Sequence, residues 1–278
     1  MTVAHIHLGP HKTGSTALQL YLRNKEDFLG ENDISFLSQH SRSRSQYLEW
    51  RAVFSRIVNR VSVGEMKDED SFEALSNQFR SLMPILGQHS SLVFSDENIM
   101  GRPVGHFYGR YEASRRVDSY YPAFRLILAS FECALSQKFD QVLFYLVKRD
   151  WLDQARSLYK DFFRKYYHVA CIPEDKFLLF LEDCGAPETY KIFWDEVALL
   201  SNVKVFPYSC SSAEAMLQGI GEGFRLSLSP LPGERLEKCN VSLDDGIVEK
   251  MIRLHPFLLR DRPRYSDQEF FHLVKLFS

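Results

Sequence analysis

The sequence predicts an α/β fold with a mainly parallel β-sheet flanked by helices. Three observations carry that prediction. Short runs of β-forming residues alternate with longer segments whose apolar residues recur every three or four positions. Three of the apolar runs lead into glycine, polar or charged residues, at Gly9, at Asp96-Glu97-Asn98 and at Lys148-Arg149-Asp150. Parallel strands deliver such groups to one functional crevice at their carboxyl ends. No repeat or linker interrupts the 278 residues, which gives a single domain over 1–278.

Taken in order, 4–9 reads as a buried strand, and 15–23 as a helix with Leu18, Tyr21 and Leu22 at helical spacing. The Ser/Arg-rich stretch 38–45 reads as a solvated loop. A helix over 71–86 leads into Ser91-Leu-Val-Phe-Ser95, a short strand that ends at Asp96-Glu97-Asn98. Turn signals and His106 fill 101–109, and a long helical pattern covers 119–136. The clearest strand is 141–147, almost wholly β-formers. Asp150 is placed to cap the next helix, where Ala155, Leu158, Phe162 and Tyr166 recur at helical intervals. That puts Arg149 at the helix entrance and Ser157 about two turns inside. The last third offers a helix over 188–200, a strand over 203–206, and helical patterns over 243–254 and 267–277.

Composition excludes some classes of partner. With 34 basic and 36 acidic residues the net charge is −2, so no global positive field draws the chain onto nucleic acid, and any anion site must be local. Cys133, Cys171, Cys184, Cys210 and Cys239 form no C-x-x-C pair, and their odd number and wide spacing argue for a reducing, cytoplasmic setting. No basic leader with a small-residue cleavage site is present, which predicts no secretory signal. The apolar runs fall well short of the ~18 residues of a membrane span. The 22 Phe and 13 Tyr are expected mostly in the core.

The segment Gly9-Pro-His-Lys-Thr-Gly-Ser-Thr16 lies between a strand and a helix, where free backbone N–H groups and the helix dipole bind anions. It fits G-x-x-x-x-G followed by Ser-Thr. A nucleoside-triphosphate loop requires lysine directly after the second glycine, whereas Ser15 stands there and the lysine is Lys12.

Pro10-His-Lys-Thr-Gly-Ser-Thr16 resembles the 5′-phosphosulfate loop of sulfotransferases that use 3′-phosphoadenosine 5′-phosphosulfate (PAPS), P-K-[ST]-G-[ST]-[ST], with His11 between the proline and Lys12. The similarity is to the bacterial branch, which carries H-K-T-G-[ST]-T near its start. That family also has an arginine at a strand end and a serine eight residues later, matched by Arg149 and Ser157. Phe94-Ser-Asp-Glu-Asn98 resembles its S-x-E-N strand end, and Cys239-Asn-Val-Ser-Leu243 its N-x-S-L segment. The resemblance covers roughly 4–242, and the basic R-K-G segment of the animal cytosolic enzymes is not evident near Asn240.

The resemblance implies a P-loop-like sulfotransferase fold and transfer of a sulfuryl group from PAPS, leaving PAP, with no metal. It implies that Lys12 and the N–H groups of Thr13, Gly14, Ser15 and Thr16 hold the 5′-phosphosulfate, and that Arg149 and Ser157 hold the 3′-phosphate. Glu97 is the expected base, with His11 and His106 as alternatives. The acceptor is a hydroxyl or amine of a small molecule or saccharide, a glycolipid among them, and the oligomeric state is left open. Two other readings stand beside this one. A P-loop kinase or NTPase would use Asp96 on magnesium, and an inactive PAP-binding protein would keep the nucleotide site alone. His5 and His7 form H-x-H on one strand face, with no third metal ligand near in sequence.

Overall fold

The structure, a computed structural model, describes residues 2–9, 15–62, 64–101, 119–166, 172–209, 212–228, 246 and 248–253. Backbone contacts divide the chain into two compact units. The first holds the described residues of Met1–Arg102, Asp118–Arg149 and Tyr190–Asn240; the second holds those of Asp150–Thr189 and Val241–Ser278.

Five strands build the sheet of the first unit: β1 (Val3–Gly9), β2 (Ile34–Ser38), β3 (Ser91–Ser95), β4 (Gln141–Lys148) and β5 (Val203–Pro207). Their order is β2-β3-β1-β4-β5, and every neighbouring pair is parallel. The expected parallel sheet is therefore present. All seven residues of β1 are buried, which is why its sequence reads as a nearly continuous apolar run.

Helices cover both faces of this sheet. On one face α1 (Ser15–Asn24) and α10 (Ser212–Phe224) bring Leu18, Leu22, Met216, Leu217 and Ile220 against Phe36, Val93, Tyr145 and Val147. The backbone of α10 comes very close to β1, since a Cβ on Gly223 would lie 2.3 Å from Cε1 of His5. Along β3 and β4, Phe94 and Phe144 alternate with Val93 and Tyr145 and so serve the opposite face. There Phe131 of α6 (Phe124–Leu135) lies 5.2 Å from Phe94, 6.2 Å from Phe144 and 4.0 Å from Phe79 of α4 (Asp68–Arg80), centroid to centroid. Phe79 in turn meets Trp50 and Phe54 of α3 (Arg44–Ser62).

Several elements depart from the sequence reading. The expected loop over 38–45 narrows to 39–43, because Ser38 closes β2 and Arg44 opens the 19-residue α3. The expected helix over 71–86 is broken at 81–82 into α4 and the short α5 (Met83–Leu86), with Pro84 in the first turn of α5, where a missing N–H costs nothing. In the stretch 119–136, α6 starts only at Phe124, two residues after Pro122. A short α2 (Glu26–Glu31) precedes β2. The pattern over 267–277 lies outside the described residues.

The second unit contains α7 (Trp151–Tyr166) and α8 (Glu174–Asp183), and α9 (Ala186–Val197) begins in it and continues into the first. Asp150 caps α7 as expected, its Oδ1 accepting from the Leu152 N–H at 2.9 Å. Tyr159 and Phe177 pack α7 on α8 with ring centroids 5.6 Å apart, and the Tyr159 hydroxyl donates to the Ile172 carbonyl at 3.0 Å. The apolar run 177–181 belongs to α8.

Candidate functional site

Because all five strands run the same way, their carboxyl ends share one edge. From β1 the chain passes to β2 on one side of the sheet, while from β4 it passes to β5 on the other. The end of β1 thus stands where connections diverge, the position at which open parallel sheets bind ligands. Gly9 closes β1 with φ 114, a backbone region that favours glycine. Residues 10–14, with His11, Lys12, Thr13 and Gly14, lie outside the described residues. Ser15 opens α1 with 3% exposure, and its buried Oγ meets no hydrogen-bond partner among the described residues. Thr16 is half-buried beside it.

At the end of β4, Arg149 is fixed from two directions. The Tyr190 hydroxyl donates to its carbonyl at 2.9 Å, and its guanidinium carbon lies 3.8 Å from the centre of the Tyr208 ring. Tyr208 is placed by its own N–H, which donates to the Lys148 carbonyl at 2.8 Å just beyond β5. Nε and Nη1 of Arg149 are buried and meet no acceptor among the described residues. A cation with buried, unmatched donors is costly, and an anion with oxygen acceptors removes that cost.

At the end of β3, the Asp96 N–H donates to the His7 carbonyl at 3.1 Å, and the side chain is fully buried. Oδ2 of Asp96 accepts from the Tyr47 hydroxyl at 2.6 Å and from Nη1 of Arg51 at 3.1 Å; Oδ1 accepts from N and Nδ2 of Asn98 at 2.9 and 2.7 Å. Burial, and then the charge of Asp96, push the Tyr47 hydroxyl well above its ordinary pKa, so it stays a donor. Glu97, next in sequence, is half-buried, and its Oε2 accepts from Nε2 of Gln19 at 3.3 Å.

Strands in a sheet lie about 4.8 Å apart, so the ends of β3 and β4, with β1 between them, stand about 10 Å apart. Of the residues expected at the site, the structure brings Ser15, Thr16, Glu97 and Arg149 to this edge of the first unit. Ser157 is a buried residue of α7 in the second unit. His106 and the segment 239–243 lie outside the described residues.

His5 and His7 have structural partners. Nδ1 of His5 meets the Tyr145 hydroxyl at 2.7 Å, and Nδ1 of His7 meets Oγ of Ser95 at 2.9 Å. Burial lowers both to a pKa of about 4, Lys204 adding to the effect at His5. No group of three metal-binding side chains is found among the described residues.

Sequence reading missed Gln19, Gln39, Arg51, Tyr190 and Tyr208. The one signal for Gln19 was its place beside Leu18 on a helix whose polar residues should face solvent, whereas Gln19 is fully buried. Tyr208 follows a strand directly, but only the β4–β5 pairing brings it to Arg149. A groove of about 450 Å³ lies elsewhere, along Ile34, Ser35 and Phe36 of edge strand β2 and beside Gly87 and His89.

Fold and site together define an α/β protein whose five-stranded parallel sheet gathers a half-buried arginine, two carboxylates and the start of a helix on its carboxyl edge. No protein-family model, curated protein or solved structure matches the chain. Among the described residues, no helix is long and apolar enough to cross a membrane.

Proposed function

We propose that this chain is a PAPS-dependent sulfotransferase with a P-loop-like fold, acting on a hydroxyl or amine of a small-molecule or saccharide acceptor, a glycolipid among them. The observation that carries this reading is the guanidinium of Arg149, stacked on Tyr208 with Nε and Nη1 buried and unmatched among the described residues, on the same edge as the β1–α1 junction. A 3′-phosphate supplies acceptors for Nε and Nη1, which meet none among the described residues, and it is the group that separates PAPS from ATP. The lone Oγ of Ser15 at the start of α1 suits a second anionic group.

The acceptor oxygen attacks sulfur as the bond from sulfur to the bridging phosphate oxygen breaks. The acceptor proton passes to the Glu97 carboxylate, and the charge left on the phosphate oxygen is balanced by Lys12 and the N–H groups of residues 13–16. Ser157 joins Arg149 in this scheme through their spacing in sequence. The free thiols of Cys133 and Cys184 suit a cytoplasmic setting.

The kinase reading needs Asp96 on magnesium. Four donors already occupy both its oxygens, which favours the sulfotransferase reading. The reaction is tested by incubation with sulfur-labelled PAPS and a panel of saccharide, glycolipid and phenolic acceptors. Label should pass to at least one acceptor, and Glu97→Gln should lower that rate by about a hundredfold with PAP affinity kept. PAP binding without transfer to any of them would leave an inactive PAP-binding protein.

A further inference from the structure

We propose that Gln19 is a positioning residue that holds Glu97 as an ionised base, and that Arg51 fixes the direction of the hydrogen bonds through which it does so. The inference rests on the assignment of Glu97 as the base.

Five side chains on four segments form a chain of contacts. Nη1 of Arg51 donates to Oδ2 of Asp96 at 3.1 Å and to Oε1 of Gln39 at 3.0 Å. Nε2 of Gln39 donates to Oε1 of Gln19 at 3.3 Å, and Nε2 of Gln19 donates to Oε2 of Glu97 at 3.3 Å. Asp96 and Glu97 are adjacent, so the chain closes into a ring under the end of β3.

The ring has a chemical direction. A guanidinium donates and never accepts, so Gln39 must turn its carbonyl oxygen toward Arg51. Its amide nitrogen then faces Gln19, which must answer with its own carbonyl oxygen and is left with an N–H aimed at Glu97. Reversing either amide would set two donors or two acceptors against each other, and Gln19, fully buried, has no water to relieve the mismatch. Arg51 is itself anchored by Asp96, whose second oxygen is taken by Asn98. A carboxylate accepts this N–H in either oxygen, whereas a protonated Glu97 loses acceptor strength at the oxygen it uses. The arrangement therefore favours the charged form, as a base requires before it takes the acceptor proton.

Glu97 ionisation can be read without knowing the acceptor. Carbon-detected NMR of protein labelled at the glutamate carboxyls, with Glu97→Gln to assign the signal, gives its titration midpoint directly. Gln19→Leu should raise that midpoint by about one pH unit. Gln39→Leu, at a half-exposed position that tolerates change, should move it the same way by less, and Arg51→Lys, which still only donates, should leave it near the wild-type value. A Glu97 midpoint unchanged in both leucine variants would overturn the proposal. PAP affinity measured on the same samples separates the two claims: wild-type protein that fails to bind PAP contradicts the sulfotransferase reading, whatever Glu97 does.

Discussion

The guanidinium of Arg149 stacks on the ring of Tyr208, 3.8 Å from its centre, and its buried Nε and Nη1 meet no acceptor among the described residues. The aromatic face holds the planar fork in one orientation without consuming its donors. Arg149→Ala should weaken PAP binding at least tenfold, about 1.4 kcal/mol, with little change for 5′-AMP, which lacks the 3′-phosphate. Tyr208→Leu should lose part of the same selectivity, ~0.5–1 kcal/mol, and Tyr208→Phe should keep it. Calorimetry with both nucleotides checks each variant.

The two buried histidines make stability depend on acid. Both are neutral in the folded chain with pKa values lowered to about 4, while the unfolded chain binds a proton on each below about 6.5. Their stabilising contribution is complete above pH 6.5 and is lost as pH falls toward about 4, by up to about 1.4 kcal/mol per pH unit for each. Urea unfolding at stepped pH should show this slope, and His7→Gln should remove about half of it.

Two glycines separate packing from propensity. Gly223→Ala sets a methyl group against the His5 ring and should cost roughly 1–3 kcal/mol, because helix α10 must lift from the sheet. Gly30→Ala meets nothing within 4 Å in α2 and should stabilise by about 0.5–1 kcal/mol. Thermal unfolding of the pair measures both.

The fold was legible where burial leaves a periodic record. Strands β1, β3 and β4 are buried on both faces along most of their length, and each was readable within one residue. Strand β2 carries only Ile34, Phe36 and Leu37 between serines. Helix α3 escaped because its buried face, Tyr47, Trp50, Phe54 and Val58, is diluted by four arginines. At the site, Glu97 and Arg149 were visible as charges at strand ends. Gln19, Gln39 and Arg51 were not, since they belong together only through the β2–β3 pairing and the entry into α3.

Cofactor choice is tested most directly by calorimetric titration of the purified chain with PAP and, separately, with ATP and magnesium. A PAPS-dependent sulfotransferase should bind PAP tightly, with affinity that falls tenfold or more in Lys12→Ala, about 1.4 kcal/mol, and should bind ATP weakly or not at all. Magnesium-dependent ATP binding with no PAP signal would contradict the sulfotransferase reading and favour a kinase.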